Sequence, residues 1–174
     1  MKPLILPYKG IMPKIAEDAF IAPNAVIIGD VEIGSQTNVW FNCVIRGDVN
    51  TIRIGERTNI QDGTVIHVTR KTGPTKIGSG VTIGHMVLLH ACTLEDGSFV
   101  GMQSMVMDGA TVQTGAMVAA GAVVTPNKTI PTGQIWAGNP AKFMRELKDE
   151  EKKYISISER NYVELAKEYM AARI

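Results

Sequence analysis

Residues 94–136 read LEDGSF VGMQSM VMDGAT VQTGAM VAAGAV VTPNKT IPTGQI W when broken every six positions, and each block opens on a large apolar residue, from Leu94 to Trp136. Four positions after several of these stands a small residue, as Ser104, Ala110, Ala116 and Ala122 do. Two inward positions per six residues define one flat wall of a coil. An ordinary sandwich would place its turns less regularly. A period this short and sustained marks a solenoid, in which each unit buries its apolar side only by stacking on its neighbours.

The same period extends towards the N-terminus. Ile15, Ile21, Ile27, Ile33, Val39 and Ile45 form one run, Ile54, Ile60 and Ile66 a second, and Ile77, Ile83 and Leu89 a third. Ala25, Val31, Thr37, Cys43, Thr58, Thr64, Val81 and Val87 fill the second inward slot. Gly34, Gly55, Gly78, Gly84 and Gly101 follow the aliphatic position, where a turn wants permissive backbone angles. Roughly twenty repeats stacked three to a coil make about seven coils, each rising about 4.8 Å. The expected fold is an all-β solenoid, a parallel β-helix over about residues 12–140. A C-terminal α-helix over about residues 147–173 packs alongside it, within a single domain 1–174. Tyr162, Leu165, Tyr169 and Met170 are spaced for one helical face, with the Gly138–Lys142 turn as a hinge.

Composition excludes several classes. A formal charge of +1 with 20% charged residues leaves no electrostatic footprint for nucleic acid or an anionic membrane. Pro3, Pro7 and Pro13 interrupt the N-terminal segment, so it forms neither a signal-peptide core nor a membrane span, and the expected compartment is the cytoplasm. The two cysteines, Cys43 and Cys92, fall in inward small-residue slots and read as buried hydrophobes rather than a disulfide or a zinc knuckle.

All three histidines, His67, His85 and His90, lie within the repeat. His67 follows Ile66 and His90 follows Leu89, so they hold the same slot. Three six-residue steps separate them once the extra residues after His67 loop out of a corner. They should stack one strand spacing apart on one outer face, a separation that suits two imidazoles on one metal. His85 follows Ile83 by two and belongs to the preceding side, where it cannot reach the same ion within one subunit. In a cyclic homotrimer the His85 side of one subunit meets the His67/His90 side of the next, which predicts a metal shared between subunits. Asp62 follows Ile60 by two and should stack under His85 to orient its ring or to serve the subunit contact. Hexapeptide acyltransferases, which use one histidine as a general base at a subunit cleft, are the competing class.

VIRGDVNTIRIGERTNIQDGTVIHV (44–68), TIGHMVLLHACTL (82–94), VGMQSMVMDGATV (100–112) and IWAGNPAKFMREL (135–147) together resemble the γ-class carbonic anhydrase family, including its short bacterial ferripyochelin-binding-protein-like members. Arg-x-Asp, Asn-x-Gln-Asp-Gly and His followed by His-x4-His occur in family order along nearly the whole chain. The resemblance implies a left-handed β-helix, and His67 and His90 from one subunit with His85 from the next as ligands. Zn²⁺ is the implied ion, with Fe²⁺ and Co²⁺ suited to the same donors. It implies that Arg46 and Asp48 pair at the trimer interface and that Asp62 is an interface or ligand-shell partner. Gln61, with Asn59 beside it, would position a metal-bound hydroxide that converts CO2 to bicarbonate, with Tyr162 as the active-site tyrosine. Tyr154 and Tyr169 are the other options for that tyrosine. The chain departs from the family archetype at Val49, where the archetype has a glutamate, and in the loop Val68–Lys76, which carries Arg70, Lys71 and Lys76 but no carboxylate. Weak or buffer-dependent hydration is therefore expected. The alternatives are a metal-binding member without turnover, or a hexapeptide acyltransferase or acyl-CoA thioesterase.

Overall fold

The computed structural model describes residues 2–173. It is a parallel β-solenoid of about 7 turns, matching a left-handed β-helix of hexapeptide repeats, with one C-terminal helix. The strand ladders resolve into three walls. Val26–Ile33, the first half of Val44–Ile54, Val65–His67, Leu88–His90, Met105–Val106 and Val123–Val124 stack along one wall. The far half of Val44–Ile54 turns a corner and starts a second ladder through Thr75–Ile77, Thr93–Leu94, Thr111–Val112 and Thr129–Ile130. Phe20–Ile21 to Gln134–Ala137 build the third wall as a separate sheet.

Each wall carries one aliphatic column in register. Ile27, Ile45, Ile66, Leu89, Val106 and Val124 stack in the first, and Ile21, Val39, Ile60, Ile83, Val100, Val118 and Trp136 in the third. Threonines in the second inward slot close the hydrogen-bond accounting. Thr58 Oγ1 donates to the Gly78 carbonyl at 2.8 Å and accepts from the Val81 N–H at 3.1 Å, and Thr64 serves Gly84 and Val87 likewise. A buried hydroxyl satisfied in both directions carries little desolvation cost. Cys43 and Cys92 are free and buried, and burial pushes both thiols up to about 12.

Three expectations about the solenoid change. The ladder begins before residue 12, because Leu4–Leu6 pairs with Val26–Ile28; prolines are tolerated beside an edge strand that needs few N–H donors. The glycines after the aliphatic position do not supply positive φ, a role taken by Gln36, Arg57, Met86 and Gln103 among others. They are required by contact between coils: a Cβ on Gly34 would lie 2.7 Å from the Gly55 backbone, and one on Gly84 2.7 Å from the Met102 backbone. Finally, residues 138–141 form a turn between strands Gln134–Ala137 and Lys142–Glu146, which pair antiparallel on the last coil.

The helix Asp149–Ala171 lies along the third wall. Its buried residues are Ile155, Ser158, Val163 and Ala166, and Tyr162 and Tyr169 pack with Phe20 and Trp40. Leu165 and Met170 are exposed, contrary to the expected stripe, because the face against the wall runs through Ile155, Ser158, Val163 and Ala166. No described helix is long and apolar enough to cross a membrane.

Candidate metal centre

The strand Val65–His67 ends on His67, and Leu88–His90 ends on His90 directly across the ladder. Because Ile66 and Leu89 point inward, the next residue on each strand points out. One ring nitrogen of each histidine faces the other ring: His67 Nδ1 lies 3.2 Å from His90 Nε2. Two Zn–N bonds of about 2.0–2.1 Å at a tetrahedral angle set their nitrogens about 3.3 Å apart, so the pair has the bite of two ligands on one ion.

The remaining ring nitrogens are held by carboxylates. His67 Nε2 is 2.9 Å from Asp48 Oδ1, and His90 Nδ1 is 2.7 Å from Asp108 Oδ1. Asp48 in turn receives the Arg46 guanidinium. Burial opposes ionisation of Asp48, but hydrogen bonds from His67 and Arg46 outweigh it and hold the carboxyl below its ordinary range. Asp108 is likewise held low against burial, by Thr69 and His90. A carboxylate on the far nitrogen fixes the tautomer and the direction in which the free nitrogen points. Such a donor set fits a borderline dication such as Zn²⁺.

His85 lies elsewhere. It follows Thr82–Ile83 on the third wall, and its Nδ1 is 2.9 Å from Asp62 Oδ2 on the coil below. Among the described residues no group of three or more His, Cys, Asp or Glu converges on one point, so within a protomer His85 does not join the other two. His85 instead borders a cavity of about 410 Å³ with Gln61 and Tyr162. Gln61 is buried, and its Nε2 donates to Asn59 Oδ1 at 2.9 Å, which fixes the amide; Asn59 is anchored to Thr82 Oγ1 at 2.9 Å. Burial raises the Tyr162 phenol, with Asp62 and Tyr154 adding to it. Tyr154 lines the same cavity, whereas Tyr169 is packed against Trp40 and Phe20.

Asp108 is the residue that sequence reasoning missed. Ladder pairing of Leu89 with Val106 puts Met107, not Asp108, across from His90. Ala91 adopts a positive φ of 48° and ends the strand, and beyond it the spacing becomes 18 residues, the separation of His90 from Asp108. The five-residue step between Leu89 and Leu94 was the available signal.

Residues 4–47 match the family model described as bacterial transferase hexapeptide (six repeats). The chain is 52% identical over 159 residues to gamma carbonic anhydrase 2, mitochondrial, of Arabidopsis thaliana, covering 88% of this chain but only 57% of that longer protein. It is 44% identical over 168 residues to a carbonic anhydrase of Geobacillus kaustophilus, covering 97% of this chain and 92% of that one. A crystal structure of a hexapeptide transferase family protein from Anaplasma phagocytophilum superposes with a TM-score of 0.93 at 49% identity, covering 95% and 98% of the two chains.

Proposed function

Because the chain belongs to the γ-class carbonic anhydrase family, we propose that it hydrates CO2 reversibly at a divalent metal, Zn²⁺ foremost, shared between subunits of a homotrimer. The observation that carries this reading is the stacked His67/His90 pair, 3.2 Å apart with both outer nitrogens on carboxylates. A two-histidine site is one ligand short of the three that a catalytic zinc takes. His85 is braced by Asp62 on the neighbouring wall, and a cyclic arrangement of three copies brings that wall against the His67/His90 wall of the next. His67 and His90 with a third histidine would hold a dication there, which would supply Lewis acidity for activating water at neutral pH.

The chain's own groups set the rest. Imidazole ligates as a neutral donor, so two of them would leave the charge of a bound dication undiminished. Gln61 Nε2 donates to Asn59, which leaves its carbonyl oxygen as the acceptor at the edge of the cavity it shares with His85. That acceptor would orient the hydrogen of an oxygen nucleophile in the cavity and leave its lone pair free for CO2. Tyr162 adds a neutral hydroxyl from the helix side. Val49 and the basic loop Val68–Lys76 offer no carboxylate for proton export, so soluble buffer is the proton acceptor.

Metal analysis of the purified protein with stopped-flow CO2 hydration at low and high buffer tests the proposal. One metal per subunit and a rate that climbs with buffer, both abolished in His85→Ala, are the expected results. Metal without hydration in any buffer would leave a binding protein of the same family. Failure to bind metal would remove the shared site.

A further inference from the structure

We infer that Asp108, braced by Thr69, is a positioning residue for the His90 ligand, and that through it the loop Val68–Lys76 controls metal affinity. The inference rests on the metal reading above. Asp108 Oδ1 takes the His90 Nδ1 hydrogen at 2.7 Å, while Thr69 Oγ1 donates to Asp108 Oδ2. Both carboxylate oxygens are thus engaged, one by the ligand ring and one by the loop. Among the described residues Asp108 forms no ion pair with Lys or Arg, unlike Asp48, whose charge is matched by Arg46.

The loop is built to hold Thr69 still. Thr69 and Gly73 exchange backbone hydrogen bonds at 2.8 and 3.2 Å, Asn50 Nδ2 holds the Thr69 carbonyl at 3.0 Å, and Thr75 Oγ1 donates to the His67 carbonyl at 2.6 Å. Gly73 lies against the coil that carries His90: a Cβ there would sit 2.7 Å from Ala91 Cβ and 2.8 Å from Thr69 Cβ. One short loop therefore touches the strand ends of both stacked histidines. Where a loop rich in carboxylates would carry protons, this one fixes ligand geometry.

Zn²⁺ affinity, by competition with a chromophoric chelator, and the visible spectrum of the Co²⁺-loaded protein test this on Asp108→Ala, Asp108→Asn and Thr69→Val in the full chain. Asp108→Ala should weaken Zn²⁺ binding about 10- to 100-fold and change the Co²⁺ bands. Asp108→Asn, which keeps an acceptor for His90 but loses the charge, should fall between. Thr69→Val should weaken binding by a smaller factor and add nothing in the Asp108→Ala background, since it acts only through that carboxylate. Wild-type affinity and an unchanged spectrum in Asp108→Ala, or additive effects in the double variant, would overturn the inference while leaving the metal reading intact. Wild-type protein that takes up neither ion would overturn the metal reading and this inference with it. Thermal unfolding in chelator separates loss of the fold from loss of ligand geometry, and Thr69→Val retains a test if Asp108→Ala does not fold.

Discussion

Individual residues in this protein act chiefly by what holds them. His85 is braced by Asp62 at 2.9 Å, His67 by Asp48 and His90 by Asp108, so each imidazole has one nitrogen committed to orientation by a carboxylate. The same economy appears where the helix begins. Arg145 reaches both oxygens of Glu151, at 2.7 and 2.8 Å, and Glu151 Oε2 also accepts the Lys148 N–H. The Arg145 guanidinium, with that N–H, pulls the Glu151 carboxyl to about 2 from its ordinary 4.5. A carboxyl whose folded value lies below its unfolded one stabilises at pH above the unfolded value. That contribution is lost as pH falls through 4.5 towards about 2. Thermal melts of wild type and Glu151→Gln should therefore differ at pH 7 and converge near pH 2. A gap that persists undiminished at pH 2 would mean that the residue stabilises by packing instead.

At the scale of the element, the strand is only two or three residues long at most positions and has no stability of its own. It persists because its inward side chain stands between two others in a column. Ile66 is fully buried between Ile45 and Leu89, one residue before the first histidine of the site. Ile66→Ala should cost about 2–5 kcal/mol in denaturant unfolding and weaken metal binding as well, because the cavity loosens the strand that aims His67. An unchanged unfolding midpoint would contradict the column as the source of stability. The helix obeys a different rule. Its seam was only partly legible: Tyr162 and Tyr169 face the wall as expected, but Ile155, Ser158 and Ala166 decide the contact, and Leu165 and Met170 turn to solvent. Size at the closest approach governs a helix on a flat sheet, and a hydrophobicity pattern does not encode it.

For the whole molecule the decisive property is that one protomer carries its histidines on different walls. His67 and His90 lie on one, His85 on another, and no third ligand joins the pair among the described residues. A head-to-tail ring of three copies joins unlike faces at every contact. Mixing His85→Ala protein with His67→Ala protein by joint refolding should then rebuild intact sites, since each mixed trimer contains one contact between a good His67/His90 wall and a good His85. Random 1:1 assembly gives about a quarter of the wild-type metal sites and activity. Complete failure to recover metal in the mixture, with trimers formed, would place all ligands within one subunit.

The six-residue period determined the architecture without any coordinates, because in a stacked coil every inward position is repeated and a single phase fixes the whole wall. That phase also placed His67 under His90 and Asp62 under His85, since a side chain's neighbour one coil away is set by counting. Counting failed where the ladder stops. The five-residue step from Leu89 to Leu94 shifts the register by one residue and delivers Asp108, rather than Met107, to His90. It also cannot say that Gly73 must lack a Cβ, or that Thr69 reaches across 39 residues to Asp108, because loop geometry is settled by close contact between coils and not by period. The sequence by itself determined the columns and the faces of the histidines. Only the tertiary structure decided the braces that aim them, because those come from corners and loops, where steric fit replaces repetition.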